Sequence, residues 1–148
     1  MRKGFTIIEM VIALVIISII LLVVVPLGQT AMDNSRIANA IASVKAIQTA
    51  AVEWQNDNGG QFTGITLDAL ATGGYLPAGF SSVTQANPWS GSYTLAPNAN
   101  NSEMLDVTLS AVPSTPAAKL STELTKLSAI TGGPIYSPTS QTWTITLQ

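Results

Sequence analysis

Between Phe5 and Gly28 the chain is apolar at nearly every position, with Ser18 a minor polar break and Glu9 the only formal charge. A helix over these roughly 24 positions rises about 36 Å, which exceeds the roughly 30 Å hydrocarbon core of a bilayer and leaves room for tilt. A buried core helix is the alternative for a shorter apolar run, but a domain this small has no interior that encloses such a helix on every side. Past Gly28 the pattern takes a helical period. Ile37, Ile41, Val44, Ile47, Ala51 and Trp54 recur at spacings of three and four, which marks an amphipathic helix. The alanine content, and the absence of Pro or Gly until Gly59, favour one helix of about 50 residues continuing through Pro26. A kink or local loosening is expected around Leu22 to Pro26, where proline loses a hydrogen bond and crowds the preceding turn. Asn56 to Gly60 supply the end signal.

Residues 59–90 carry turn signals in place of periodicity. Leu67, Leu70 and the stretch DALATGGY predict one short helix ending at Gly73 or Gly74, followed by turns at Pro77, Gly79 and Asn87-Pro88. Tyr75, Phe80 and Trp89 are expected to anchor this connection in the local core. Alternation appears at SYTLA (92–96) and MLDVTLSAV (104–112), joined by PNANNSE, and predicts an antiparallel hairpin. Leu105, Val107 and Leu109 then share one face, and Asp106, Thr108 and Ser110 the other. Thr115 is expected to cap a helix with Pro116 at its first position and Ala117, Leu120, Leu124 and Leu127 as its stripe. Lys119 and Glu123 are spaced to support each other. Gly132-Gly133 lead to PIYS and QTWTITL around a turn at Pro138 to Ser140, a second hairpin with Trp143, Ile145 and Leu147 inward and Pro134 at a tolerated strand start.

Charge orients the apolar segment. Arg2 and Lys3 keep its start in the cytoplasm, so the remainder lies outside. A cleaved secretory signal fits poorly, because its apolar stretch is shorter than this one. A plain anchor leaves Glu9 unexplained, since a carboxylate left in lipid costs on the order of a few kcal/mol and such residues usually face protein partners. One helical turn separates Glu9 from Phe5. A cut between Gly4 and Phe5 would place a new ammonium about 6 Å upstream along the axis, where it can pair with Glu9 of its own chain or of a neighbour.

MRKG followed by FTIIE resembles the class III signal of type IV prepilins and of the related pseudopilins of type II secretion, in which a short basic leader ends in glycine before phenylalanine, a glutamate and a long apolar helix. The resemblance implies removal of residues 1–4 by the prepilin peptidase, methylation of the new Phe5 amine, and assembly with an inner-membrane platform into a homo-oligomeric helical filament, with minor pilins as further partners. Gly4 and Phe5 are then the processing residues, and Phe5 and Glu9 the assembly pair. Pro26 falls where many members carry a helix-loosening proline. The implied fold is α+β and pilin-like: a long N-terminal helix, transmembrane in its first half and amphipathic in its second, packed against an antiparallel sheet of about four strands with one extra helix. Its expected segments are the leader 1–4, the filament-core half-helix 5–28, the amphipathic half 29–58 and the globular head 59–148. NPWSGSY, Asn87 to Tyr93, resembles the turn leading into the first strand of pseudopilins and some pilins. The helix between two hairpins resembles the type IVb head more than a plain meander, whereas the short leader and Pro26 lean the other way.

Composition narrows the function. The chain has 148 residues and a formal charge of −2; removing Arg2 and Lys3 leaves four basic residues against eight acidic ones, or −4. That is a poor basis for direct nucleic-acid binding, although the family includes members that take up DNA. Cysteine and histidine are absent, which departs from the C-terminal disulfide of many pilins and removes the usual zinc ligands and imidazole bases. No cofactor, metal site or catalytic set is predicted: Asp57, Asp68, Glu103 and Asp106 show no ligand spacing, and no base stands ready to activate a Ser or Thr. Gly132 to Leu147 contains no carboxylate, unlike the calcium-binding loop common in secretion pseudopilins. The expected protein is a pilus subunit serving adhesion, motility or DNA uptake. Its precursor would be a single-pass inner-membrane protein with the head outside the cytoplasm, and its assembled form an extracellular or periplasm-spanning filament. A secretion pseudopilin, or a membrane-anchored minor pilin acting as binding module, is the alternative, with an envelope enzyme the third class.

Overall fold

A computed structural model describes residues 6–77, 80, 86–126, 135–137 and 142–147. The elements in chain order are α1 (Ile7–Asp57), α2 (Leu67–Thr72), β1 (Tyr93–Pro97), β2 (Leu105–Leu109), α3 (Ser114–Thr125), β3 (Ile135–Ser137) and β4 (Thr142–Leu147). The chain divides into two units, Met1–Ser35 and Arg36–Gln148, and α1 contributes residues to both.

In the first unit every residue from Thr6 to Met32 is exposed, although nearly all are apolar. An uninterrupted apolar surface of this kind is unstable in water and needs lipid or protein around it. The helix passes through Pro26 without a break, in agreement with the expected continuation. Proline removes one donor, that for the Leu22 carbonyl, while the turns on both sides remain bonded. The Thr30 hydroxyl donates to the Pro26 carbonyl at 3.1 Å.

The second unit is built on the other half of α1. Ile37, Ala40, Val44, Ile47, Ala50 and Ala51 are buried there, while Ile41 and Trp54 are partly buried at the edge of the core. The stripe thus centres on 37, 40, 44, 47 and 51, the alternating three and four that keeps one helix face inward. The helix stops where glycine can take the left-handed conformation: Gly59 has φ of 71°, and the Gly60 N–H donates back to the Gln55 carbonyl at 2.8 Å. That bond closes a Schellman-type end. α2 starts at Thr66, whose hydroxyl accepts from the Ala69 N–H at 3.0 Å, and ends at Gly73 as expected.

Tyr75 ties the exit of α2 to the end of α1. Its hydroxyl donates to Asp57 Oδ2 at 2.6 Å, and its ring meets Trp54 edge-on at 5.8 Å. The bond to Asp57 raises the Tyr75 phenol above its ordinary value of 10.0, and the Asp57 and Glu53 charges add to this. A folded-state value above the unfolded one means that the stabilisation is complete below pH 10.0 and is lost as pH climbs through the folded value. Urea midpoints of wild type and Tyr75→Phe should therefore converge as pH rises above 10.0 and differ most below it.

The sheet has four strands in the order β1-β2-β4-β3, and every neighbouring pair is antiparallel. Tyr93 pairs with Leu109 and Leu95 with Val107 across β1 and β2, and Leu105 pairs with Leu147 and Val107 with Ile145 across β2 and β4. These side chains alternate onto the covered face and join the α1 stripe, Phe62, Ile65 and Leu70 in one core. Phe80, Tyr75 and Trp89 pack against its edge. Asp106, on the other face, is held by Asn98 Nδ2 at 3.0 and 3.1 Å and by the Thr146 hydroxyl at 2.7 Å.

Helix α3 begins two residues before the expected position, at Ser114 in place of Pro116. Pro113 is the extended residue ahead of it, and no side chain caps the helix. Thr115 is therefore inside the helix, and Pro116 sits at its third position, where a missing N–H still leaves no intrahelical bond unmade. Pro116, Ala117, Leu120 and Leu124 are buried. Glu123 pairs with Lys126 at 2.5 Å and not with Lys119. The Glu-before-Lys order is the one the helix dipole favours. Leu127, Gly132, Gly133, Pro134, the turn Pro138 to Ser140 and the side chain of Trp143 lie outside the described residues.

The connection into β1 is closed by Asn87, which is only 3% exposed. Its Oδ1 accepts from the N–H groups of Trp89 and Gly91 at 2.9 and 3.0 Å, and its Nδ2 donates to the Ser110 carbonyl at 2.6 Å. Backbone bonds from Asn87 N to Gly91 O and from Ser90 N to Asn87 O complete the turn. Gly91 is required there, because a Cβ would overlap the Ser110 carbonyl.

Candidate functional site

The polar start of α1 is the candidate site. Thr6 precedes the helix and Glu9 lies in its first turn. The Thr6 N–H and the Thr6 hydroxyl both donate to Glu9 Oε2, each at 2.9 Å, and the Glu9 N–H donates back to the Thr6 hydroxyl at 3.3 Å. This reciprocal arrangement is a capping box, in which the residue before the helix and the one three positions later satisfy each other's free groups. Around it the surface is apolar: Ile7 is 84% exposed, and Ile8, Met10, Val11 and Ile12 are exposed beside it.

The box can accept a cation. Both described bonds converge on Oε2, and no described residue bonds Oε1. Gly4 and Phe5, the expected processing residues, lie outside the described residues. Pro26 lies on the same helix, about 25 Å further along its axis from Glu9, so the structure does not bring these two together. Thr6 was not among the sequence candidates; Thr6-x-x-Glu9 ahead of an apolar run is a capping-box signature that identifies it. Asn87 was expected only as part of a turn.

Among the described residues no group of three or more acidic side chains stands close enough to hold a metal ion. Asp57 and Asp106 are occupied by the hydrogen bonds given above. One helix, α1, is long and apolar enough to cross a membrane. A long apolar N-terminal helix joined to a small antiparallel sheet defines the pilin-like class of subunits. The N-terminus agrees: residues 1–25 match the prokaryotic N-terminal methylation motif. Over those residues the chain is similar to proteins that carry this motif at the start of an apolar N-terminal helix. A comparison with curated proteins finds no match.

Proposed function

We propose that this chain is the subunit of a type IV pilus, made as a single-pass inner-membrane precursor and assembled into a filament after loss of residues 1–4. The observation that carries the reading is the conjunction of a capped carboxylate at Glu9 with an apolar helix exposed from Ile7 to Met32. Lipid covers that helix before assembly, and the helices of neighbouring copies cover it afterwards. In this reading prepilin peptidase cuts after Gly4, the Phe5 amine is methylated, and an inner-membrane platform with minor pilins adds each subunit. Residues 5–28 form the filament core, 29–58 the amphipathic half of the helix, and 59–148 the head. Pro26 marks where the helix opens in the crowded core, since Leu22 already lacks one donor. A pilus role in adhesion, motility or DNA uptake is favoured over a secretion pseudopilus by the lack of any carboxylate between Gly132 and Leu147.

Filaments sheared from the cell surface test the reading. Intact mass should show a chain beginning at Phe5 with one added methyl group, and a filament map should show helix α1 opened between Leu22 and Gly28. A filament subunit retaining residues 1–4 would overturn the processing step, and an unbroken helix through Pro26 would overturn its assigned role.

A further inference from the structure

We infer that Asn58 is a site of spontaneous covalent modification in the folded chain: the Gly59 backbone nitrogen attacks its side-chain carbonyl carbon, and water then opens the resulting succinimide to aspartate or isoaspartate. The inference does not depend on the filament reading.

Water is the only co-reactant. The Gly59 nitrogen gives up its proton to solvent base and bonds to Asn58 Cγ, the Cγ–Nδ2 bond breaks, and ammonia leaves. Hydrolysis of the ring at the side-chain carbonyl gives aspartate, and at the backbone carbonyl it gives isoaspartate. Nothing is oxidised or reduced.

The attacking N–H must be exposed, unbonded and uncrowded. Asn58 and Gly59 are both exposed and lie just past the end of α1 at Asp57. The Gly59 N–H has no acceptor among the described residues, whereas the Asn58 N–H donates to the Trp54 and Gln55 carbonyls at 3.0 and 3.3 Å, and the Gly60 N–H to the Gln55 carbonyl at 2.8 Å. Gly59 carries no side chain to obstruct the approach, and nothing stands within 4 Å of the place a Cβ would take. The bond that must yield is that from Asn58 Nδ2 to the Trp54 carbonyl at 2.9 Å, and water replaces an exposed hydrogen bond at little cost.

Every other asparagine fails one of these conditions. Asn34, Asn39 and Asn56 lie inside α1, where the next N–H is held by the helix ladder. Asn87 is buried and is followed by Pro88, which has no N–H. The Asn98 carboxamide is held at both ends, by Asp106 and by the Asn100 N–H. Asn100 is followed by the Asn101 N–H, which donates to the Asn98 carbonyl at 3.3 Å. Asn101 Oδ1 accepts from the Glu103 N–H at 2.9 Å, and the nitrogen that would attack it belongs to Ser102, whose side chain crowds the approach.

The product alters the end of α1. Either acid lacks the Nδ2 donor for the Trp54 carbonyl and adds a negative charge after the turn that already holds Glu53 and Asp57, where the helix dipole opposes it. Isoaspartate also lengthens the main chain by one methylene inside the loop that two bonds close, Gly60 N–H to the Gln55 carbonyl at 2.8 Å and Gln55 Nε2 to the Gly60 carbonyl at 3.1 Å.

The experiment incubates the full-length chain in detergent and mildly alkaline buffer, folded and in parallel in urea, and locates converted residues by peptide mass spectrometry and isoaspartyl methyltransferase labelling. In the folded chain Asn58 should convert at least about tenfold faster than any other asparagine, and Asn58→Gln should take no label. The converted chain should also unfold at lower urea than a fresh sample, while Asn58→Gln treated identically keeps its midpoint. Conversion of Asn58 in urea but not in the folded chain would overturn the inference, because the fold would then protect the residue. So would equal conversion at Asn101, or labelling that persists in Asn58→Gln. An unchanged urea midpoint after conversion would overturn the effect assigned to the end of α1.

Discussion

Glu9→Leu should leave membrane insertion and removal of residues 1–4 intact and still yield almost no filament when it is the only copy of the subunit. Insertion depends on the apolar run, and cleavage on the Gly4-Phe5 junction, neither of which the substitution touches. Assembly is different. Apolar helices pack against one another in many registers with similar energies, whereas a carboxylate that must meet one amine penalises all the wrong ones. Glu9→Gln separates charge from hydrogen bonding: it preserves an acceptor for the Thr6 N–H and hydroxyl but offers no ion pair to an incoming amine. Its filament yield should also fall, by on the order of tenfold or more, because each 1.4 kcal/mol lost at a repeated contact weakens every addition tenfold. If Glu9 only sits at headgroup level and reaches into the interface, both variants should assemble almost normally. Sheared filament protein measured against cleaved subunit in membranes decides between the two, and abundant filaments from Glu9→Leu would end the pairing mechanism.

Asn87→Ala should be the most damaging single change in the head. The carboxamide makes three hydrogen bonds at 2.6 to 3.0 Å and is 3% exposed. Its removal strands the N–H groups of Trp89 and Gly91 and the carbonyl of Ser110, and each stranded group costs about 1–3 kcal/mol when water cannot reach it. A combined loss of about 3–5 kcal/mol is expected, a large share of the stability of a small domain. Gly91→Ala should act on the same turn by a steric route, since the new methyl would overlap the Ser110 carbonyl and crowd the Asn87 amide. Urea unfolding of the detergent-solubilised chain, followed by tryptophan fluorescence, measures both. A loss below about 1 kcal/mol for Asn87→Ala would show that water replaces the amide there.

The order of elements could be read from the chain because their signals are local. The 51-residue helix, its glycine stop, α2, both hairpins and α3 each depend on neighbouring residues. What the pattern left open depends on distance or on competition. Alternation marks β4 as a strand, but nothing within it states that β2 and not β3 is its partner across Ile145 and Leu147. Thr115 has the chemistry of a cap, yet Pro113 supplied the extended residue and started α3 earlier. Glu123 had two lysines within reach and took the one downstream. At the site, Glu9 stood out as a charge in an apolar run, whereas Thr6 passed as one more small polar residue until its bonds to Glu9 were visible. Asn87 looked like a turn former, because its bond to Ser110 spans 23 residues.

The closure at Asn87 is made of a carboxamide, amide N–H groups and a carbonyl. None of these groups exchanges electrons, and none titrates in the range where proteins stay folded. In a chain without cysteine, the turn that leads into the sheet therefore forms without an oxidant or a disulfide isomerase and holds equally in reducing and oxidising surroundings. The head therefore needs no thiol chemistry to reach its fold, and in the filament proposed above a thiol reductant has no cysteine of this chain to attack.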